Sequence, residues 1–363
     1  MCVILVALSC AHAKDDTVVL SFATVGDSRY DAEAAHNPAA DARWHQNTRA
    51  LARIVREIAA QNPTALFFNG DMIYGYTTNR AALDPEYAYW RGMMATLIES
   101  GTCVIPVPGN HEVQLKLKSP EGTPLKRAFA ANEDAWRENM GDLILDTDAW
   151  HRLHHARPTA WSLDHTPAIG GPDGISTDQR QLPFSFDFHG AHFAVINTDP
   201  VGRDGRAPTE WLRTDLAAAR KRGASHCFVF GHKQAFTYAW RAGLEPKGLD
   251  AFPDDAKAFW DVIEANDATY FCGHEHVFHA SQPRGRAWQI ISGSGGSPFE
   301  AKAQLGGTTR DRHYAWAFVT VHRNGEGRLE ARGFDENYGP THVLERITLH
   351  SAHGKPLKTA RVR

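Results

Sequence analysis

Short apolar runs rich in β-branched and aromatic residues recur along this chain, and amphipathic segments separate many of them. Residues 18–25 (VVLSFATV), 64–68 (TALFF), 102–107 (TCVIPV), 225–230 and 269–272 are runs of this kind and predict strands. Residues 44–61 carry Leu51, Ile54, Val55 and Ile58 on one helical face, and Asn62-Pro63 closes that segment. Residues 85–100, 208–222 and 256–265 also read as helices. Strands that alternate with helices predict crossover units, hence an α/β chain with a layered sheet and helices outside it. Residues 184–197 (FSFDFHGAHFAVIN) alternate about His189-Gly190 and predict a hairpin. Residues 288–292, 314–321 and 329–334 then read as antiparallel strands.

The rhythm breaks over residues 113–183, which are polar and hold Pro120, Pro124, Pro158, Pro167, Pro172 and Pro183. One helical stretch, near 129–140, interrupts this segment. It reads as an insertion leaving the sheet, a candidate lid over a site, and not as a separate domain. The resulting division is a domain over 14–340 preceded by residues 1–13 and followed by a tail over 341–363.

Composition narrows the picture only at the ends. The 363 residues are 42% hydrophobic and 22% charged, with a formal net charge of −3, and no long basic run argues for nucleic acid as the main partner. Residues 1–13 (MCVILVALSCAHA) are apolar and end in Ala-His-Ala before Lys14. This resembles a secretory signal, although no Lys or Arg precedes the apolar run, and it is too short to span a bilayer. Export to the periplasm or medium is the expectation, with a buried N-terminal strand as the alternative. Cleavage after Ala13 would leave Cys103, Cys227 and Cys272, each inside an apolar run. Buried thiols without a disulfide framework are expected.

The candidate chemistry stands at the ends of the apolar runs. Five runs finish in a short Gly-containing turn with a metal-ligand side chain: Val25-Gly26-Asp27, Asn69-Gly70-Asp71, Gly109-Asn110-His111-Glu112, Gly231-His232 and Gly273-His274-Glu275-His276. Strand C-terminal ends gather on one edge of an open α/β sheet, so these carboxylate, amide and imidazole groups could converge. Such a mixed set suits iron, manganese or zinc. Each turn alone is a weak signal, since a lone Gly-Asp is usually a turn and a lone Gly-His usually structural. The ordered series carries the argument.

That series resembles the calcineurin-like metallophosphoesterase superfamily, over roughly residues 18–297. Gly70-Asp71-Met72-Ile73-Tyr74 is similar to the GDxxY form of purple acid phosphatases. The resemblance implies a four-layer α-β-β-α sandwich of mixed sheets with the metal site at strand C-terminal ends. It implies a first metal on Asp27, Asp71, Tyr74 and His276, and a second on Asp71, Asn110, His232 and His274, with Asp71 bridging. Ferric iron at the first site, with iron, zinc or manganese at the second, is the implied pair. The implied reaction is hydrolysis of a small phosphate monoester by a metal-bound hydroxide, with His111 contacting the substrate and protonating the leaving oxygen. Glu112 is expected to orient His111.

The first motif departs from the pattern. Asp27-Ser28-Arg29 carries an arginine where the superfamily mostly has histidine, and a guanidinium cannot replace a neutral imidazole ligand. Tyr74 is then the natural replacement ligand, the alternative being a tyrosine that only packs. Arg29 is a candidate for binding a phosphate oxygen or pairing with a carboxylate. His151, His154 and His155 read as a solvated loop cluster, and residues 292–297 (SGSGGS) as a tight loop bordering the site. A phosphodiesterase or nucleotide-cleaving enzyme stays open as an alternative, as does a binding module that kept the fold without the chemistry.

Overall fold

In the computed structural model, residues 16–30, 44–238, 246–300 and 311–350 are described. The signal-like residues 1–13 and most of the expected tail lie outside them. The predicted strands and helices form in order. β1 (Val18–Val25), β2 (Ala65–Phe68) and β3 (Cys103–Pro106) pair in parallel, with α1 (Thr48–Ala59) and α2 (Arg80–Glu99) as their crossovers. β6 (Phe184–Phe188) and β7 (Ala191–Val195) form the expected hairpin, turning at His189 and Gly190, both at positive φ. β7, β8 (His226–Phe230) and β9 (Ala268–Cys272) run parallel, linked by α6 (Thr209–Arg222) and α7 (Pro253–Ala265).

Two six-stranded mixed sheets result. With β12 (His313–His322), β13 (Gly327–Asp335) and β14 (His342–His350), the first has the order β14-β13-β12-β1-β2-β3. With β10 (Phe278–Ser281) and β11 (Gln289–Ser292), the second has the order β10-β11-β9-β8-β7-β6. The sheets pack face to face through an aromatic layer. Phe22 meets Phe193, Phe228, Phe230 and Phe271 edge-on at ring distances of 5.0–5.7 Å, and Phe67 stacks on Phe230 at 3.7 Å. Rings of this size each stabilise by roughly 1.5–3 kcal/mol on burial.

Strand alternation sorts the buried side chains between layers. On β8, Phe228 and Phe230 face the other sheet, while Cys227 and Val229 face Trp211, Leu212 and Leu216 of α6 and Phe259, Trp260 and Ile263 of α7. Helices α1 and α2 cover the outer face of the first sheet with Leu51, Ile54, Tyr87 and Trp90. The architecture is therefore the expected α-β-β-α sandwich. Cys103, Cys227 and Cys272 are buried thiols. No helix of the described residues is long and apolar enough to cross a membrane.

Several boundaries differ. Helix α2 begins at Arg80, capped by Asn79, and takes Pro85 into its second turn, where one N–H is lost. The short helix α3 (Asn110–Val113) leads into the insertion, which holds a hairpin, β4 (Gln114–Lys118) with β5 (Pro124–Ala128), and the helices α4 (Ala130–Met140) and α5 (Thr147–His154). Its Trp136 and Trp150 are buried in the main core. His151 and His154 thus stand on a helix, not in a solvated loop, and His154 Nε2 lies 3.7 Å from Cys103 Sγ. The tail expected from residue 341 begins with strand β14, which pairs with β13 and buries Ile347 and Leu349. Residues 336–341, which hold Gly339-Pro340, are the connection into this edge strand.

Candidate metal centre

The centre lies where parallel strands from both sheets end. Asp27 follows β1, Asp71 follows β2, Asn110 opens α3 after β3, His232 follows β8, and His274 and His276 follow β9. Beneath them, the Asn69 amide donates to Thr24 Oγ1 (2.7 Å), Ser292 Oγ (3.1 Å) and the Cys272 carbonyl (3.3 Å), tying the two sheet edges together. Ser292 opens the SGSGGS loop, and Gly295 and Ser297 donate backbone bonds to Gly26 and Asp27, so this loop borders the site as expected.

The turns are tight enough to require their glycines. A Cβ on Gly109 would stand 2.6 Å from Asp71 Oδ1, and one on Gly273 would collide with Asp27 Oδ2. Asp27, Asp71 and His274 themselves hold left-handed φ values of 59°, 53° and 70°. Each such conformation costs about 1–3 kcal/mol, which the surrounding packing must supply.

Two ligand groups emerge: Asp71, His232 and His274, and Asp27, Asp71 and His276, with the ligand atoms of each within 4.8 Å of one another. Asp71 belongs to both. Its Oδ1 lies 3.1 Å from His232 Nε2, and its Oδ2 lies 3.5 Å from Arg29 Nε. His232 Nε2 is also 2.9 Å from Asn110 Oδ1 and 3.1 Å from His274 Nδ1. The tautomers follow from backbone carbonyls, which can only accept. His232 Nδ1–H donates to Asn69 (2.8 Å), and His276 Nδ1–H donates to Pro298 (2.7 Å), so both Nε2 atoms offer lone pairs to the centre. Asn110 Nδ2 donates to Tyr76 Oη, which turns the amide oxygen inward.

This convergence needs positive charge. Burial drives the Asp27 carboxyl well above its usual range, partly opposed by His232. Burial also opposes ionisation of Asp71, yet His111, His232 and Arg29 hold it well below the usual range. Burial disfavours His232 as a cation, but the Asp71 carboxylate lifts it to about 9. A proton on His232 Nε2, or a cation in its place, reconciles Asp71 Oδ1, Asn110 Oδ1 and His274 Nδ1. The donor set of this group fits a metal ion.

Tyr74 is not brought to the cluster. Its Oη lies 3.1 Å from Lys116 Nζ on the β4–β5 hairpin, and its carbonyl accepts from His111 Nδ1 at 2.6 Å. The phenol beside the centre belongs to Tyr76, whose ring is 3.9 Å from that of His111. The cause is local. Gly75, at φ 56°, is pressed against the His111 carbonyl, and this carbonyl accepts from Tyr76 N at 3.1 Å, so the second tyrosine turns inward. Two tyrosines two residues apart were visible in the sequence; which one faces the site was not.

Glu112 does not orient His111. Its carboxylate is fully buried and accepts from the amides of Gly109 (2.8 Å), Asp71 (3.0 Å), Met72 (2.9 Å) and Ile73 (3.2 Å). It therefore shapes the loop that presents Asp71, and the Tyr74 carbonyl orients His111. Burial, followed by the Arg29 guanidinium, holds the His111 imidazole well below its ordinary value.

Above the centre is a cavity of roughly 470 Å³, lined by Arg29, Asn110, His111, His274 and His276 and by Lys126, Arg127 and Lys233. Lys126 arrives on β5, with Nζ 2.7 Å from Tyr76 Oη, and Lys233 Nζ pairs with Asp199 at 2.6 Å. Sequence reading missed these lysines. Lys233 directly follows a ligand candidate, which was the one available signal, while Lys126 lies in the insertion, where no pattern marks it.

The model of the calcineurin-like phosphoesterase family matches residues 42–278. No curated protein matches the sequence. Among solved structures, the purple acid phosphatase PPD1 of yellow lupin (Lupinus luteus) is similar with a TM-score of 0.55 at 13% identity. The match covers 94% of this chain, which spans only 57% of the lupin protein. PhoD is similar with a TM-score of 0.50 at 12% identity, over 92% of this chain and 72% of its own. A dimetal phosphatase from Danio rerio follows with a TM-score of 0.45 at 13% identity, over 90% and 99%. At such identities the likeness concerns the fold.

Proposed function

The chain belongs to the calcineurin-like phosphoesterase family, and on that premise we propose that this hydrolase cleaves small phosphate monoesters at a metal centre of two sites sharing Asp71. One observation carries the reading: Asp71 belongs to both ligand groups beneath a cationic cavity. Asp71, Asn110, His232 and His274 would hold one cation, and Asp27, Asp71 and His276 the other. Cations bound there would supply Lewis acidity toward phosphoryl oxygens and lower the pKa of water toward about 7. The mixed donor set suits iron, zinc or manganese. A ferric–tyrosinate pair is not supported, because the Tyr74 phenol stands at Lys116.

The chain's own residues do the rest. Arg29, Lys126 and Asn110 line the wall against which a phosphate group would rest. A monoester is a dianion near neutral pH and a diester a monoanion, so this wall favours the monoester. His111 is fixed through Nδ1–H, leaving Nε2 as the atom that would take up a proton when the dianion arrives and pass it to the leaving oxygen. Export to the periplasm or medium rests on the signal-like residues 1–13 alone.

The test is hydrolysis of p-nitrophenyl phosphate and bis(p-nitrophenyl) phosphate by protein loaded with zinc, manganese or iron. The expected result is a kcat/KM at least about tenfold higher for the monoester, with Asp71→Asn lowering it by about two orders of magnitude or more. A preference for the diester would replace the reading with a phosphodiesterase. Inactivity on both, with every metal, would leave a binding module.

A further inference from the structure

The two ligand groups are not equivalent, and Arg29 is the reason. In the group of Asp71, Asn110, His232 and His274, Asp71 contributes Oδ1, and the imidazole and amide lone pairs point at one another. In the group of Asp27, Asp71 and His276, a guanidinium already stands between two of the members. Arg29 Nε lies 3.5 Å from Asp71 Oδ2, and Arg29 Nη2 lies 3.4 Å from His276 Nε2.

His276 decides the matter. Its Nδ1–H is spent on the Pro298 carbonyl, so Nε2 has a single lone pair. That lone pair can accept from the guanidinium or bind a metal ion, but not both. Metal–ligand bonds of about 2.0–2.2 Å would also bring a cation against the guanidinium nitrogens. Arg29 cannot yield by losing its proton. A guanidinium keeps its charge at any pH at which the protein is folded. The side chain is mostly buried, with 16% exposed, and its backbone N–H is tied to the Asp71 carbonyl at 3.2 Å.

We propose that Arg29 and a cation compete for the Asp27–Asp71–His276 site, so that the protein takes its two metal ions with widely separated affinities. The first ion enters the Asp71–Asn110–His232–His274 site. The second enters only by displacing the Arg29 guanidinium, and the cavity that Arg29 lines gives the displaced side chain room beside a substrate phosphate. This rests on the proposed metal centre, and adds that one of its two sites is guarded by the chain's own cation.

Calorimetric titration of the metal-free full chain with Zn²⁺, and separately with Mn²⁺, tests it, with bound metal counted by elemental analysis after desalting. Wild type is expected to bind one equivalent tightly and a second at least about tenfold more weakly, within the range usual for coupled sites. Arg29→Ala, which opens the space, and Arg29→Met, which keeps the bulk without the charge, should each tighten the second step at least about tenfold and leave the first unchanged. His232→Ala should remove the first step. Thermal melts confirm that the variants are folded. Two equivalents of equal affinity in wild type, or a second step unmoved in both Arg29 variants, would overturn the competition alone. A folded wild type that takes up neither ion would overturn the metal-centre reading itself.

Discussion

At the residue scale, His111 is the side chain whose role separates chemistry from assembly. It is buried, its Nε2 stands 3.6 Å from Asp71 Oδ2, and its backbone N–H donates to Asp71 Oδ1 at 3.1 Å. It also lines the cavity beside Asn110. Its position in the loop is held by Glu112, which binds amides on both sides of the centre. Truncation of the imidazole alone should therefore spare the ligand geometry. His111→Ala is expected to lower kcat for p-nitrophenyl phosphate by about two to four orders of magnitude while metal content stays near that of wild type. Parallel loss of turnover and metal, measured on the same preparations, would make His111 a structural residue of the centre.

At the element scale, the β4–β5 hairpin is the part of the insertion that reaches the cavity. Trp136 and Trp150 anchor the remainder of the insertion in the core, so it belongs to the main body of the fold. The hairpin projects Lys126 and Arg127 toward the site, and Lys126 bonds Tyr76, which in turn accepts from Asn110. Burial lowers the Lys126 ammonium to about 8, the Arg29 charge adding to the effect. A bound phosphate dianion would favour its charged form. Lys126→Met should raise KM for a monoester roughly tenfold and change kcat much less, because a charge that meets ground and transition states alike affects binding. Steady-state kinetics at constant ionic strength would show this. A fall in kcat without a change in KM would place Lys126 in the chemical step.

At the scale of the whole molecule, stability depends on the contact between the two sheets, and one histidine makes that contact sensitive to pH. His226 on β8 stacks on Phe228 and lies 4.9 Å from the ring of His350 on β14. Both its ring nitrogens are buried without a hydrogen bond. Burial, with His350 adding to it, pushes its pKa down to about 3. The folded protein thus keeps His226 neutral, while the unfolded chain binds a proton below about 6.5. Stability from this site is complete above that value and is lost as pH falls toward 3, by up to a few kcal/mol at the acid end. His226→Phe removes the titrating group and keeps a stacking ring. Its melting temperature should fall less than that of wild type between pH 6.5 and 4, measured by circular dichroism. Parallel curves would assign acid sensitivity elsewhere.

What the sequence determined by itself is the set of elements and the order of the ligands. Period-2 and period-3.6 patterns are local, so β1, β2, β3, β8, β9 and α1 were readable within a residue or a few of their ends. A Gly-Asp or Gly-His after an apolar run marks a strand end for the same local reason, and parallel pairing then requires those ends to share one edge. Elements without such a signature escaped: β4 and β5 are short and charged, and β14 lies in the segment expected to be a tail. Only the tertiary structure could decide which side chains share a lone pair. Whether Tyr74 or Tyr76 faces the metal centre turns on a left-handed Gly75 against His111, 36 residues further along the chain. Whether Glu112 serves His111 or the Asp71 loop turns on amides 39–41 residues before it. That Arg29 reaches His276, 247 residues away, is a property of two sheets packed face to face, and no local pattern encodes it.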